Sequence, residues 1–333
     1  MAMRKFINDP KNLVSELLQG FALAHGKKVK LAGTNLVVRA KAKPKNKVAV
    51  VTLGGSGHEP ALSGFVGKGM LDISVPGEIF AAPGPPRVIE ALRAANRDAG
   101  VLFIVLNHAG DVMSADVAME MAAKEGLKVR RVLTHEDISA GSRENPEDRR
   151  GLVGALFVMK VAGAAAEQGR SIDECAAIAE RMERNMATLA VALSSASHPS
   201  TGEPISDVPD GRMVVGMGQH GEAGGGEQPL KSANETAEIM LPLLLKDLEI
   251  KKGEQVLVML NGVGSTTLME LFLVLRRVKG LLEERGVTLA RSLVGEYLTV
   301  QEMGGFQMCV ARMDPELIEL WDTPCDTPAL TVK

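Results

Sequence analysis

The sequence runs to 333 residues, 45% of them hydrophobic and 24% charged, with a formal net charge of −3; that leaves room for two packed domains and argues against a nucleic-acid-binding surface, because such domains are usually basic. Cys175, Cys309 and Cys325 are widely spaced, odd in number and form no CxxC pair, so a reducing compartment is expected rather than a disulfide framework. The start, Met1 to Pro10, is polar and lacks a signal-peptide core, and no window approaches the ~18–20 apolar residues of a membrane span, so the default expectation is a cytoplasmic protein.

Pro10 to Leu23 has helical spacing, with Leu13, Leu17, Leu18 and Leu23 on one face. Val29 to Val38 reads as an extended hairpin. Lys47 to Leu53 is a buried-strand pattern that runs into Gly54-Gly55-Ser56-Gly57-His58-Glu59-Pro60. A glycine-rich loop at the C-terminal edge of a parallel sheet is where α/β proteins place ligands. The glycines allow close backbone approach and positive φ, while Ser56 and His58 offer a hydroxyl and an imidazole. The competing reading is a tight turn whose polar residues only cap the next helix. Gly64, Gly67, Gly69 and Gly77 then punctuate a wrapping segment, and a helix is expected from Arg87 to Asp98. Gly100 to Leu106 is a near-continuous apolar run, as in a strand covered on both faces; it ends in Asn107-His108-Ala109-Gly110-Asp111. A helix from Ala115 to Glu125 and a strand from Lys128 to Leu133 complete a βαβ unit.

Leu152 to Glu167 reads as a buried helix and Ser171 to Ala192 as a second, capped by Ser171 and Asp173. His198 to Gly211 has linker composition and sets the expected boundary between an N-terminal domain, 1–195, and a C-terminal domain, 196–333. Arg212–Val215 is a short strand ending in Gly216-Met217-Gly218-Gln219-His220-Gly221-Glu222, with a glycine-rich loop from Ala223 to Glu227. Ser232 opens a helix to Leu248, Gln255–Leu260 is a strand, and a helix follows to Arg285. Val287–Val294, Tyr297–Thr299 and Phe306–Ala311 are strand candidates, and a short helix starts at Met313-Asp314-Pro315. The fold expected is α/β: a three-layer α/β/α N-terminal domain with a mainly parallel sheet, then a two-layer α/β C-terminal domain with a mixed sheet.

Common chemical motifs fail on inspection. Gly54-Gly55-Ser56-Gly57-His58 is not a nucleophile elbow, because His58 stands where the last glycine belongs. A zincin helix needs a second histidine at position 62, which is Leu62. No phosphate loop of the Gly-Lys-Ser/Thr type exists, and Gly216-x-Gly218-x-x-Gly221 is followed by more glycines instead of a helix. No His/Cys cluster has metal-ligand spacing, so no metal site is expected. Three polar tips remain, each after a strand and beside glycine: Ser56/His58, His108/Asp111 and Gln219/His220/Glu222. A loop histidine is more often a structural hydrogen-bonder than a catalyst, but three such tips in one chain strengthen the functional reading.

The glycine motif, followed by Gly64-Phe65-Val66-Gly67-Lys68-Gly69-Met70-Leu71, resembles the substrate-binding K subunit of the dihydroxyacetone kinase family. So do Gly110-Asp111-Val112, Val161-Ala162-Gly163-Ala164-Ala165-Ala166-Glu167, His220-Gly221-Glu222, the opening Lys5-Phe6-Ile7-Asn8-Asp9-Pro10 and the closing Trp321-Asp322-Thr323-Pro324 with Thr327-Pro328-Ala329-Leu330. The match spans essentially the whole chain, in family order. It implies a phosphotransferase with an alcohol acceptor, in which His220 bonds a small ketose covalently as a hemiaminal. Asp111 is then the general base for the hydroxyl that becomes phosphorylated, and His58 a second polar group at the reacting end. Gly54, Gly55, Ser56 and Gly57 are then substrate contacts, and His108, an unusual neighbour for the family, is expected as a further one. No cofactor is expected on this chain: ATP or ADP with Mg²⁺ belongs to a separate L-type subunit, and the K-type chain is expected to form a homodimer. The alternative is a non-catalytic sugar-binding paralogue that regulates a partner. Two departures, Leu53 adding bulk for a family glycine and Leu106 for a family lysine, with His108 nearby, leave the ketose as dihydroxyacetone or a tetrulose, with a tetrulose such as erythrulose expected to be the better substrate.

Overall fold

The computed structural model describes residues 5–222 and 224–333; Met1–Arg4, the first part of the start read as polar, and Ala223, at the head of the expected glycine loop, lie outside it. In chain order the elements are α1 (Leu13–Ala24), β1 (Val29–Ala32), β2 (Leu36–Arg39), β3 (Ala49–Ser56), β4 (Ile73–Ile79), α2 (Pro85–Ala95), β5 (Val101–Leu106), α3 (Ala109–Lys124), β6 (Val129–Thr134), α4 (Ala155–Glu167) and α5 (Ile172–Arg184). They continue with β7 (Met186–Ala192), β8 (Arg212–Val215), β9 (Gly226–Pro229), α6 (Ala233–Asp247), β10 (Gln255–Gly262), α7 (Leu268–Glu284), β11 (Thr288–Gly295), β12 (Gly305–Arg312), α8 (Pro315–Asp322) and a small hairpin, β13 (Cys325–Asp326) with β14 (Thr331–Val332). Among the described residues no helix is long and apolar enough to cross a membrane.

The chain divides into two compact units that interleave along the sequence. A terminal unit comprises Lys5–Thr134, Ala155–Met182 and Leu317–Lys333, and an inserted unit comprises His135–Gly154 and Glu183–Glu316. A single cut at 195/196 does not follow this division. Met186–Ala192, expected as the end of a helix, is strand β7, and it pairs with β12 and β8 of the inserted unit. Tyr297–Thr299, a strand candidate, forms no strand, and Gly226–Pro229, expected as loop, is strand β9.

The terminal unit holds a six-stranded sheet in the order β1-β2-β4-β3-β5-β6, in which β4, β3, β5 and β6 run parallel. Side chains alternate across a strand, so Ala49, Val51 and Leu53 of β3 and Val101, Phe103 and Val105 of β5 share one core with Val88, Leu92 and Ala95 of α2 and Ala115, Ala118 and Ala122 of α3. Helix α4, buried along nearly its whole length, packs on β3 as the third layer. A buried ionic network ties this layer to the segment after the glycine motif. Asp72 lies 3.3 Å from Arg39 and 2.9 Å from Lys43, and Arg39 reaches Glu167 at 2.6 Å. Glu167 in turn accepts the Gly69 N–H at 3.2 Å. Burial raises the Glu167 carboxyl, but Arg39 and Lys43 hold it below its ordinary value. The C-terminal residues close the same region: Asp326 N–H donates to Lys68, Ala329 N–H to Gly64, and the buried Lys160 ammonium to the carbonyls of Leu320 and Thr323.

The inserted unit holds a mixed sheet, β11-β10-β12-β7-β8-β9, parallel only between β10 and β11. Helices α6 and α7 cover one face through Met240, Leu241, Leu244, Leu271, Val274 and Val278. Each is started by a capping box, Ser232 with Glu235 and Thr267 with Glu270, which satisfies helix N–H groups that have no intrahelical partner.

Candidate functional site

Strands β3 and β5 are parallel neighbours, with Thr52 opposite Ile104, so both end at the same edge of the sheet. From β3 the chain enters β4 on one side, and α2 returns it to β5 on the other. Open α/β sheets form their ligand crevice at such a reversal. The edge carries two of the three polar tips.

At the first tip β3 runs on through Gly54, Gly55 and Ser56, still paired with β4 as far as Ser56 and Ile79. The glycines here admit the chain's own backbone. A Cβ on Gly55 would lie 2.8 Å from the Ala81 nitrogen, and Gly57, at φ +98°, has the Phe80 ring 2.9 Å from where its Cβ would be. Ser56 Oγ donates to the Gly77 carbonyl at 2.7 Å. His58 is buried, its ring centre 5.2 Å from that of Phe80. The Glu59 carboxylate accepts the Gly57 N–H at 3.1 Å; burial, opposed by the Glu59 and Gly57 backbone N–H groups, leaves its pKa raised.

At the second tip the helix starts six residues earlier than the sequence pattern suggests. His108, in an extended conformation, is the N-cap of α3, and Asp111 lies in the first turn, buried. Val112 N–H donates to the His108 carbonyl at 2.9 Å. A carboxylate in a first helical turn sits at the positive end of the helix dipole.

The third tip belongs to the inserted unit. After β8, Gly216 (φ +81°) and Gly221 (φ +82°) fold the chain back on itself, with Gly218 N–H donating to the Glu222 carbonyl at 3.1 Å. Glu222 Oε2 accepts the His220 backbone N–H at 2.8 Å, and Oε1 lies 3.3 Å from His220 Nδ1. Burial pushes the Glu222 carboxyl up, but the His220 ring and the backbone N–H groups of residues 220 and 222 outweigh it and hold the pKa at about 2. An ionised carboxylate only accepts hydrogen bonds, so a neutral ring bonded to Glu222 is the tautomer with its proton on Nδ1 and its lone pair on Nε2.

A family model for the Dak1 domain matches residues 19–329. The chain belongs to the Dak1 family. It is 39% identical over 332 residues to the dihydroxyacetone-binding subunit DhaK of a PTS-dependent dihydroxyacetone kinase 2 of Listeria innocua, covering 99% of this chain and 100% of that one. It is 37% identical over 331 residues to an L-erythrulose kinase of Pectobacterium atrosepticum, covering 98% of this chain and 56% of that one. Among solved structures, the dihydroxyacetone kinase of C. freundii superposes with a TM-score of 0.90 at 30% identity, over 100% of this chain and 61% of that one; it is also known in complex with AMP-PNP and Mg²⁺. The dihydroxyacetone kinase operon co-activator Dha-DhaQ gives 0.88 at 30% identity, over 94% of this chain and 97% of that one.

Within this Dak1 chain the terminal unit brings Gly54 to His58 together with His108 and Asp111 at one sheet edge, while His220 stands in the inserted unit. One expectation is corrected. Leu53 points into the core shared with α2 and α3, because it lies on the same face of β3 as Val51 and Ala49, so its bulk adds nothing at the edge. Leu106 is buried as well. Glu222 was visible in the sequence only as a member of its tip. Its hold on the histidine comes from the turn at Gly221, which brings positions 220 and 222 onto the same carboxylate.

Proposed function

We propose that the chain is the ketose-binding subunit of a dihydroxyacetone-type kinase, holding a small ketose as a hemiaminal on His220 while an L-type partner supplies the phosphoryl group. The observation that carries this reading is the His220–Glu222 pair. With Nδ1–H directed at an ionised carboxylate, Nε2 is the nucleophile. Its lone pair forms the N–C bond, the carbonyl π pair moves to oxygen, and that oxygen takes up a proton. The ring turns cationic as the bond forms, and Glu222 stabilises that charge before the Nδ1 proton leaves. Glycerol, lacking an electrophilic carbon, is excluded by the same chemistry. Asp111 takes the proton of the hydroxyl that is phosphorylated, and His58 holds the reacting end.

Nucleotide and Mg²⁺ belong to the partner, with ATP, or ADP recharged by a phosphoprotein, as donor. The likeness to a longer kinase of which this chain spans 61% supports that division of labour, as does the full-length match to a chain named as a binding subunit. The ketose has three or four carbons: relatives named for dihydroxyacetone and for erythrulose are of similar identity, and with Leu53 in the core the case for a tetrulose narrows to Leu106 and His108. The match to an operon co-activator favours one second reading, a regulatory ketose-binding protein; Asp111, His58 and His220 together favour the enzyme. Crystals soaked separately with dihydroxyacetone and with each erythrulose enantiomer test the central step. Continuous density from His220 Nε2 to the carbonyl carbon is expected, and His220→Ala should lose most ketose affinity. Unchanged affinity in that variant would refute the assignment.

A further inference from the structure

Arg150 lies in the segment between β6 and α4, far in sequence from the His220 loop, yet its guanidinium grips that loop at both ends. Nε donates to Asp137 Oδ2 at 2.8 Å, and Nη2 donates to Ser139 Oγ at 2.9 Å and to the Gly216 carbonyl at 3.0 Å. Nη1 faces Glu222 Oε2 at 3.9 Å. The seat beneath Arg150 is rigid. Asp137 is 1% exposed, and its other oxygen accepts the Ser139 N–H at 2.9 Å and the Ser139 hydroxyl at 2.7 Å. The segment is fastened to β7 through Ile138 N–H on the Thr188 carbonyl and folded on itself through Asp137 N–H on the Arg150 carbonyl.

The fit leaves no slack on the loop side. A Cβ on Gly218 would fall 2.2 Å from Arg150 Nη1 and 2.2 Å from Glu222 Oε2, so arginine, glycine and glutamate are packed as one piece. A guanidinium presents its donors in a fixed planar fork, whereas a lysine ammonium is a point charge on a flexible stem. Only the fork meets Asp137, Ser139 and Gly216 at once while facing Glu222.

We propose that Arg150, seated on Asp137 and Ser139, is a positioning residue that fixes Gly216 and Glu222 and through Glu222 sets the tautomer and direction of the His220 ring. The consequence for ketose binding rests on the reading of His220 given above; the positioning itself does not.

The test is the ¹⁵N and ¹³C spectrum of the His220 ring in the ketose-free full chain, followed by calorimetric titration with dihydroxyacetone. The wild type should show the Nδ1–H tautomer once the ring is neutral. Arg150→Lys should give a mixture of tautomers and about 10–100-fold weaker dihydroxyacetone binding, the scale at which a misplaced reacting group acts. Glu222→Gln should reproduce both changes. A role confined to stability would lower the melting temperature and leave the tautomer alone. A natively folded Arg150→Lys with the wild-type ring spectrum therefore overturns the proposal. Should loss of the guanidinium beside buried Asp137 prevent folding, Ser139→Ala removes one strut without stranding a charge; it should shift the ring spectrum in the same direction by less, and no shift overturns the proposal. A shifted tautomer with unchanged dihydroxyacetone affinity upholds the role of Arg150 and instead refutes His220 as the ketose site.

Discussion

One residue before Asp137, Glu136 is fully buried, with Oε1 accepting the Leu152 N–H at 2.8 Å. Burial, far more than the neighbouring Glu183 and Asp137, pushes its carboxyl from 4.5 up to about 8. Between those values the folded chain keeps a proton that the unfolded chain has released, so stability falls as pH rises through that window and levels off above it. Glu136→Gln has the same shape and no proton to lose. Its melting temperature is expected to exceed that of the wild type by a widening margin between pH 5 and pH 8, measured by scanning calorimetry; a constant margin would place the pH dependence elsewhere. His135, drawn up chiefly by Glu183 and least by Glu136, tilts both proteins the same way, so the difference between them measures mainly Glu136. Legibility at this scale was uneven. His58, Asp111 and His220 stand out because each follows a strand beside glycine. Arg150, Asp137 and Ser139 have no such local mark, since what joins them to the His220 loop is tertiary contact alone.

Among the elements, α4 shows how tightly the glycine segment is framed. A Cβ on Gly163 would lie 2.4 Å from Met70 Cα and 2.6 Å from the Gly69 carbonyl oxygen. Helix propensity alone favours alanine over glycine by about 1 kcal/mol. Backbone atoms on the far side cannot yield, and overpacking of this kind costs about 1–3 kcal/mol or more. Gly163→Ala is therefore expected to lose up to about 2 kcal/mol net in urea denaturation, and a gain would mean that α4 can shift. The elements were legible wherever the pattern was periodic or capped: α6 at Ser232, the apolar run of β5, the strand before Gly54. Met186-Ala-Thr-Leu-Ala-Val-Ala misled because a strand buried on both faces, between β12 and β8, shows no alternation, and a short apolar run cannot be told from buried helix by period. For the same reason the domain boundary drawn from linker composition fell beyond a strand that pairs with the later sheet.

For the molecule as a whole, the proposed division of labour makes a kinetic statement. The isolated chain is expected to bind ketose yet consume no ATP, and turnover should appear only when an L-type subunit is added; robust turnover by the chain alone would contradict it. In the reconstituted enzyme Asp111→Asn should retain ketose binding while phosphoryl transfer falls about 10²–10⁴-fold, the usual loss on removing a general base. The interleaved chain has a consequence of another kind. Residues 198–211 are largely exposed, and loops of that composition are where proteases cut. The fragment before such a cut carries β7, the strand between β12 and β8 of the inserted unit, while the fragment after it carries residues 317–333, which close the terminal unit. Each piece thus holds a part the other piece needs, and a nick there severs the polypeptide while the two halves stay clasped, each completing the other's fold.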